Sequence, residues 1–142
     1  FKKQRTMKIL GIILSIVFAL TTVQDEKGNL SLTLTNIPNN EGKLMIGVFD
    51  QEGFLNKAIT GRNVDSKGKN EVTVTFKDLD YGEYAVSVLH DKNGNERMDF
   101  NEQGMPQEDW AMSGTNPPDQ QPRWELAKFT FNKSDQKIEL SF

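Results

Sequence analysis

Cysteine is absent from all 142 residues. That excludes disulfides, thiolate metal sites and a lipid-modified cysteine anchor. Histidine occurs once, at His90, which argues against a histidine-built zinc site. No apolar run approaches the roughly 20 residues that span a bilayer. The longest apolar run, residues 9–20, has twelve residues and no charge. No nucleophile-elbow pattern surrounds Ser87 or Ser113, and no serine, histidine and acid stand in a recognisable catalytic arrangement. No catalytic or cofactor-binding residue is assigned, and the expected protein is not an enzyme.

What is present begins with that short apolar run. Met7 and Lys8 precede it, and Ala19-Leu20-Thr21 offers small residues at its exit. A basic start, an apolar centre and a small-residue exit predict a signal peptide opening at Met7, with residues 1–6 upstream of it. The competing reading is a buried core helix or an uncleaved anchor. Residues 1–23 are assigned to upstream and signal sequence, and 24–142 to a single domain. The expected location is secreted or periplasmic, without a transmembrane anchor after processing. Removing Lys2, Lys3, Arg5 and Lys8 leaves 13 basic residues against 20 acidic ones, a net of −7. Such a surface repels phosphate backbones, so nucleic acid is not an expected partner; a cationic ligand is easier to accommodate.

The rest of the chain repeats with period two. Leu30, Leu32 and Leu34 alternate with Ser31, Thr33 and Thr35. The pattern returns at Leu44, Ile46 and Val48, at Val72, Val74 and Phe76, and at Tyr84, Val86 and Val88. Phe129 and Phe131 follow, then Ile138, Leu140 and Phe142. Alternation places every second side chain on one face of a half-buried strand. Turn formers separate the runs, as at Pro38-Asn39-Asn40 and Ser66-Lys67-Gly68. The fold class is all-β: an antiparallel β-sandwich of about seven strands with one long structured loop. Residues 52–63 have room for one helical turn, with Phe54 and Leu55 plugging the core. In DLDYGEYAVSV, Leu79 is expected to plug the end of the sandwich. Gly82 makes a sharp turn there, and the Tyr84 hydroxyl bonds to backbone. Trp124 reads as a core residue of a strand running on through Ala127, and Trp110 as more open.

The long loop is HDKNGNERMDFNEQGMPQEDW, residues 90–110. Calcium takes six to eight oxygen ligands, which a tight loop supplies from alternate positions. Counting from Asp91, position 3 is Asn93, position 5 Asn95 and position 9 Asp99; Arg97 at position 7 offers its carbonyl. Glu102 falls at position 12, where helical versions of such loops carry a bidentate glutamate. The candidate metal residues are therefore Asp91, Asn93, Asn95, Arg97, Asp99 and Glu102, and the candidate cofactor is calcium. One position disagrees: the glycine usual at position 6 is Glu96, while Gly94 stands at position 4. The turn is made differently, or Glu96 is strained. The competing reading is a solvated loop, because Asp, Asn and Gly favour turns for backbone reasons of their own. His90 reads as a hydrogen-bonding support, to a loop carbonyl or to a metal-bound carboxylate. Glu102, Glu108 and Asp109 could form a carboxylate pair, but exposed acids are the commoner outcome.

These stretches together resemble domain of unknown function 2141, an uncharacterised bacterial family. The resemblance rests on Gly42 and Phe54, and on Phe76, Leu79, Gly82, Tyr84, Ala85 and Val86. It continues through His90, Asp91, Asn93, Asn95 and Asp99 to Gly104, Pro106 and Glu108, then to Trp110, Ser113 and the Trp124–Ala127 stretch. It covers residues 29–142 and departs at Glu96 and Asp109, where the family more often has glycine. It implies a secreted or periplasmic sandwich of prealbumin-like or immunoglobulin-like type, with no established activity. The resulting reading is a non-catalytic module with a calcium-binding loop at 91–102, in a structural or ligand-binding role. The alternatives are a carbohydrate- or peptide-binding envelope protein without metal, or a hydrolase. A glycan or an envelope protein is the partner class left open.

Overall fold

The computed structural model describes residues 26–38, 41–117 and 119–142. The expected signal peptide lies outside the described residues. Among the described residues eight strands form: β1 (Lys27–Thr35), β2 (Lys43–Phe49), β3 (Thr60–Asp65), β4 (Val72–Asp80), β5 (Gly82–Asp91), β6 (Trp110–Met112), β7 (Phe129–Phe131) and β8 (Asp135–Ser141). One four-residue helix, α1 (Trp124–Ala127), precedes β7. The strands make two layers. One is ordered β4-β1-β8; the other is ordered β3-β2-β5-β6, with β7 also pairing β5. This is the expected all-β sandwich.

The alternation fills the space between the layers. Leu30, Leu32 and Leu34 of β1 are fully buried, as are Leu44 and Val48 of β2, Val86 and Val88 of β5, and Phe131 of β7. Ile46, Val72, Phe76 and Tyr84 complete the cluster. Each such side chain contributes about 1.5–3 kcal/mol by leaving water. Register follows from the same pattern: Leu44, Ile46 and Val48 stand opposite His90, Val88 and Val86. A slip of one residue would turn the whole apolar set of a strand to solvent.

Several local features differ from the sequence reading. The pair β1–β8 is parallel, from Asn29 opposite Asp135 to Thr35 opposite Ser141; the other pairings are antiparallel. Parallel neighbours need a long connection, and these two strands have nearly the whole domain between them. β3, of sequence TGRNVD, carries no apolar alternation and forms as an edge strand on β2. Residues 124–127 are helical where a strand was expected. Leu55 does not plug the core: it is 44% exposed. Phe54 does pack, edge-on against Phe49 at 6.4 Å and Trp124 at 5.6 Å. Gly82 does not adopt a left-handed φ; that conformation falls on Asp78, at φ 55. Asp78 lies where the β1–β4 register shifts, between Gly28–Leu79 and Leu30–Phe76. One extra residue on β4 is thereby absorbed as a bulge.

The corner itself forms as expected. The Tyr84 hydroxyl donates to the Asp80 carbonyl at 2.8 Å, and its ring packs on Phe131 at 6.1 Å. Burial raises the Tyr84 phenol above its ordinary value of 10.0, and the Asp80 and Asp50 carboxylates push the same way against Lys27.

Candidate functional site

The loop after β5 starts from a buried anchor. Asp91, the last residue of β5, is fully buried. Its Oδ1 accepts the Gly94 amide at 2.7 Å, and its Oδ2 accepts the Glu96 amide at 3.0 Å. Asn93 Oδ1 accepts the Asn95 amide and Asn95 Oδ1 accepts the Arg97 amide, each at 3.1 Å. Asp and Asn oxygens reach the amide two or three residues on, and the tight winding brings the Glu96 amide, five residues on, to the second oxygen of Asp91. Alternate placement turns single bonds into a ladder that winds residues 91–97 tightly. The winding leaves Gly94 at φ 76 and Glu96 at φ 61. Glycine tolerates that conformation and glutamate does not. The strain anticipated at Glu96 is therefore present.

Three of the predicted site residues meet. Asn93 Nδ2 donates to Asp99 Oδ2 at 2.5 Å. Asn95 Nδ2 donates to both Asp99 oxygens, at 2.8 and 2.9 Å. The Arg97 guanidinium approaches the same carboxylate at 3.8 Å. Each oxygen-to-amide bond of the ladder also occurs in an ordinary turn; the meeting of Asn93 and Asn95 on Asp99 exceeds turn chemistry. Turning each amide to bring its oxygen to this focus exchanges its bond with the Asn95 or Arg97 amide for one with whatever the focus holds. As folded, the focus presents two amide nitrogens to the Asp99 carboxylate, with the amide oxygens held on the backbone. The Arg97 carbonyl accepts no hydrogen bond among the described residues. No group of three or more His, Cys, Asp or Glu side chains suited to a metal comes together among the described residues. The convergence is of two amides and one carboxylate.

Glu102 is not part of it. The Gln107 amide bonds to the Asp99 carbonyl at 2.8 Å, and the Asn101 amide to the Met105 carbonyl at 3.0 Å. Phe100 and Pro106 bridge between them. Residues 99–107 thus fold as a small hairpin, and Glu102 sits exposed at its tip. Spacing from Asp91 could not reveal a hairpin inside the loop.

The return arm delivers a residue that sequence reasoning took for an exposed acid. Glu108 is only 7% exposed. Its Oε1 accepts the Lys92 amide at 2.9 Å, while its Oε2 is buried with no partner among the described residues. Asp109 pairs with Lys92 Nζ at 2.5 Å, and its carbonyl accepts the His90 amide at 2.9 Å. The Gly104 to Glu108 motif was the only sequence signal for this arm.

His90 is fully buried and supports a different loop from the one expected. Its Nε2 donates to the Glu41 carbonyl at 2.6 Å, with Ser66 Oγ at 3.3 Å and the Phe142 ring 6.1 Å away. Ser66, also buried, donates to the same turn, at the Glu41 or Gly42 carbonyl. Gly42 has φ 84, and a side chain there would strike the Asp91 carbonyl. The turn before β2 and the start of the metal-candidate loop are therefore packed backbone to backbone. Ser113 Oγ accepts the Val86 amide at 2.9 Å and donates to the Ala127 carbonyl at 2.6 Å. Trp124 packs on Phe54, as a structural role requires, and Trp110 is half-buried on β6.

No helix among the described residues is long and apolar enough to cross a membrane. No curated protein and no solved structure matches the chain. Residues 32–139 match a family described as uncharacterized protein conserved in bacteria. The span takes in the paired strands, the anchored loop and its return arm, and the chain belongs to that family, DUF2141.

Proposed function

We propose that the protein is a secreted or periplasmic, non-catalytic β-sandwich module whose loop at 91–99 takes up calcium and is stiffened by it. The observation that carries this reading is the meeting of Asn93 and Asn95 on the Asp99 carboxylate, beside an Asp91 already bonded to the loop's own amides. The donor set is hard oxygen, which suits calcium better than a softer metal. Asp91, Asn93, Asn95, the Arg97 carbonyl and Asp99 would hold the ion; Glu102 is left at the hairpin tip, so waters complete the shell. With two carboxylates, affinity falls in the range of extracellular calcium modules, about 10⁻⁴ to 10⁻³ M. The apolar run after Met7 supports the export part of the reading.

Calcium titration by calorimetry on residues 24–142 tests it. At about 10 mM calcium a Kd near 1 mM stabilises by about 1.4 kcal/mol, and a Kd near 0.1 mM by about 2.7 kcal/mol. The melting temperature should rise by several degrees, and Asp99→Ala should abolish the rise. Absence of both heat and thermal shift would overturn the calcium assignment.

A further inference from the structure

A second feature lies beside the loop and does not depend on calcium. Between the return arm, β6 and the end of β8 is a cavity of about 600 Å³. Met105 and Pro106 form one side, Trp110 and Met112 another, and Phe142 a third. Glu108 stands in its wall. Among the described residues, no lysine or arginine lines it. Its other acid, Asp109, is already paired with Lys92. Among the residues lining the cavity, the carboxylate not matched by a cation is therefore that of Glu108.

Glu108 is also incompletely bonded. One carboxylate oxygen holds the Lys92 amide; the other is buried and has no donor among the described residues. Leaving such an oxygen unpaired is costly, and a cationic donor is the partner that best repairs it. The terminal torsion of glutamate is broad, so the carboxylate can reorient when a donor enters the cavity it lines. The aromatic faces of Trp110 and Phe142 add attraction for a cation close to them, and the methionines accept an irregular apolar body. We propose that this cavity binds a small primary ammonium carried on an apolar body, its charge set against Glu108 and its body against Trp110, Met112 and Phe142.

The test compares phenethylammonium with 3-phenylpropionate, which carries the opposite charge on a similar apolar body. The readout is the two indole N–H signals of the ¹⁵N-labelled protein, from Trp110 and Trp124. Phenethylammonium should shift the Trp110 signal saturably and leave that of Trp124 in place. Binding of 3-phenylpropionate should be weaker by about tenfold or more, the worth of one hydrogen bond to a charged group. Glu108→Gln still offers an oxygen to the Lys92 amide, so it should fold and lose that preference. The proposal is overturned by equal binding of the two probes, or by a folded Glu108→Gln that keeps the preference. It is equally overturned by no saturable shift up to about 50 mM, well above the millimolar range of a weak site. Should Glu108→Gln fail to fold, the comparison of probes on the unaltered protein decides the matter alone.

Discussion

Glu96→Gly should stabilise the protein. Glu96 sits at φ 61, where a side chain crowds the following carbonyl and costs about 1–2 kcal/mol. Glycine removes that cost and adds about 0.5–1 kcal/mol of lost chain freedom. The net gain is up to about 1.5 kcal/mol, centred at about 0.75 kcal/mol. The side chain is exposed and makes no hydrogen bond among the described residues, and the amide bond to Asp91 Oδ2 is kept. The mirror experiment is Gly94→Ala. Gly94 has φ 76, and a Cβ there meets nothing within 4 Å. Its cost is therefore conformational alone, about 1 kcal/mol. Urea unfolding in the presence of a chelator measures both without interference from metal. The midpoint should rise for Glu96→Gly and fall for Gly94→Ala, each with an unchanged slope. A lower midpoint for Glu96→Gly, or an unmoved one for Gly94→Ala, would refute the left-handed winding of the loop.

Gly42→Ala should cost more than about 2 kcal/mol, since it combines an unfavourable φ of 84 with a collision against the Asp91 carbonyl. Thermal melting will show it, and a melting point within a degree of the parent would contradict the close packing of the two backbones. Ser113→Ala strands the Val86 amide and the Ala127 carbonyl and should cost about 2–4 kcal/mol in denaturant unfolding. Tyr84→Phe removes the bond to the Asp80 carbonyl, worth about 0.5–1.5 kcal/mol near neutral pH. Tyr84 also carries an alkaline signature: its phenol is raised in the fold, so its neutral form stabilises below the unfolded value of 10.0. That contribution is lost as pH rises through the higher folded value. Stability of the parent should fall faster with alkali than that of Tyr84→Phe, and parallel curves would count against a buried phenol.

The alternation of apolar residues determined which side chains face inward. Leu30, Leu32, Leu34, Leu44, Val48, Val86, Val88 and Phe131 are all fully buried, because a pleated strand sends every second residue to one face. Local chemistry also determined the Tyr84 corner and the strained Glu96, since both depend on residues a few positions away. Alternation says which face, not which neighbour. The parallel pairing of β1 with β8 was therefore decided only when both strands found the same layer. β3 forms because β2 offers it a free edge, without any apolar pattern of its own. At the loop, spacing located Asn93, Asn95 and Asp99, whose side chains can meet through local turns. It misassigned Glu102 and passed over the burial of Glu108, because the hairpin at 99–107 carries the chain back beside Lys92. Contacts made across a few residues are written in their spacing. Contacts made by a chain returning from far away depend on the packing of the whole domain.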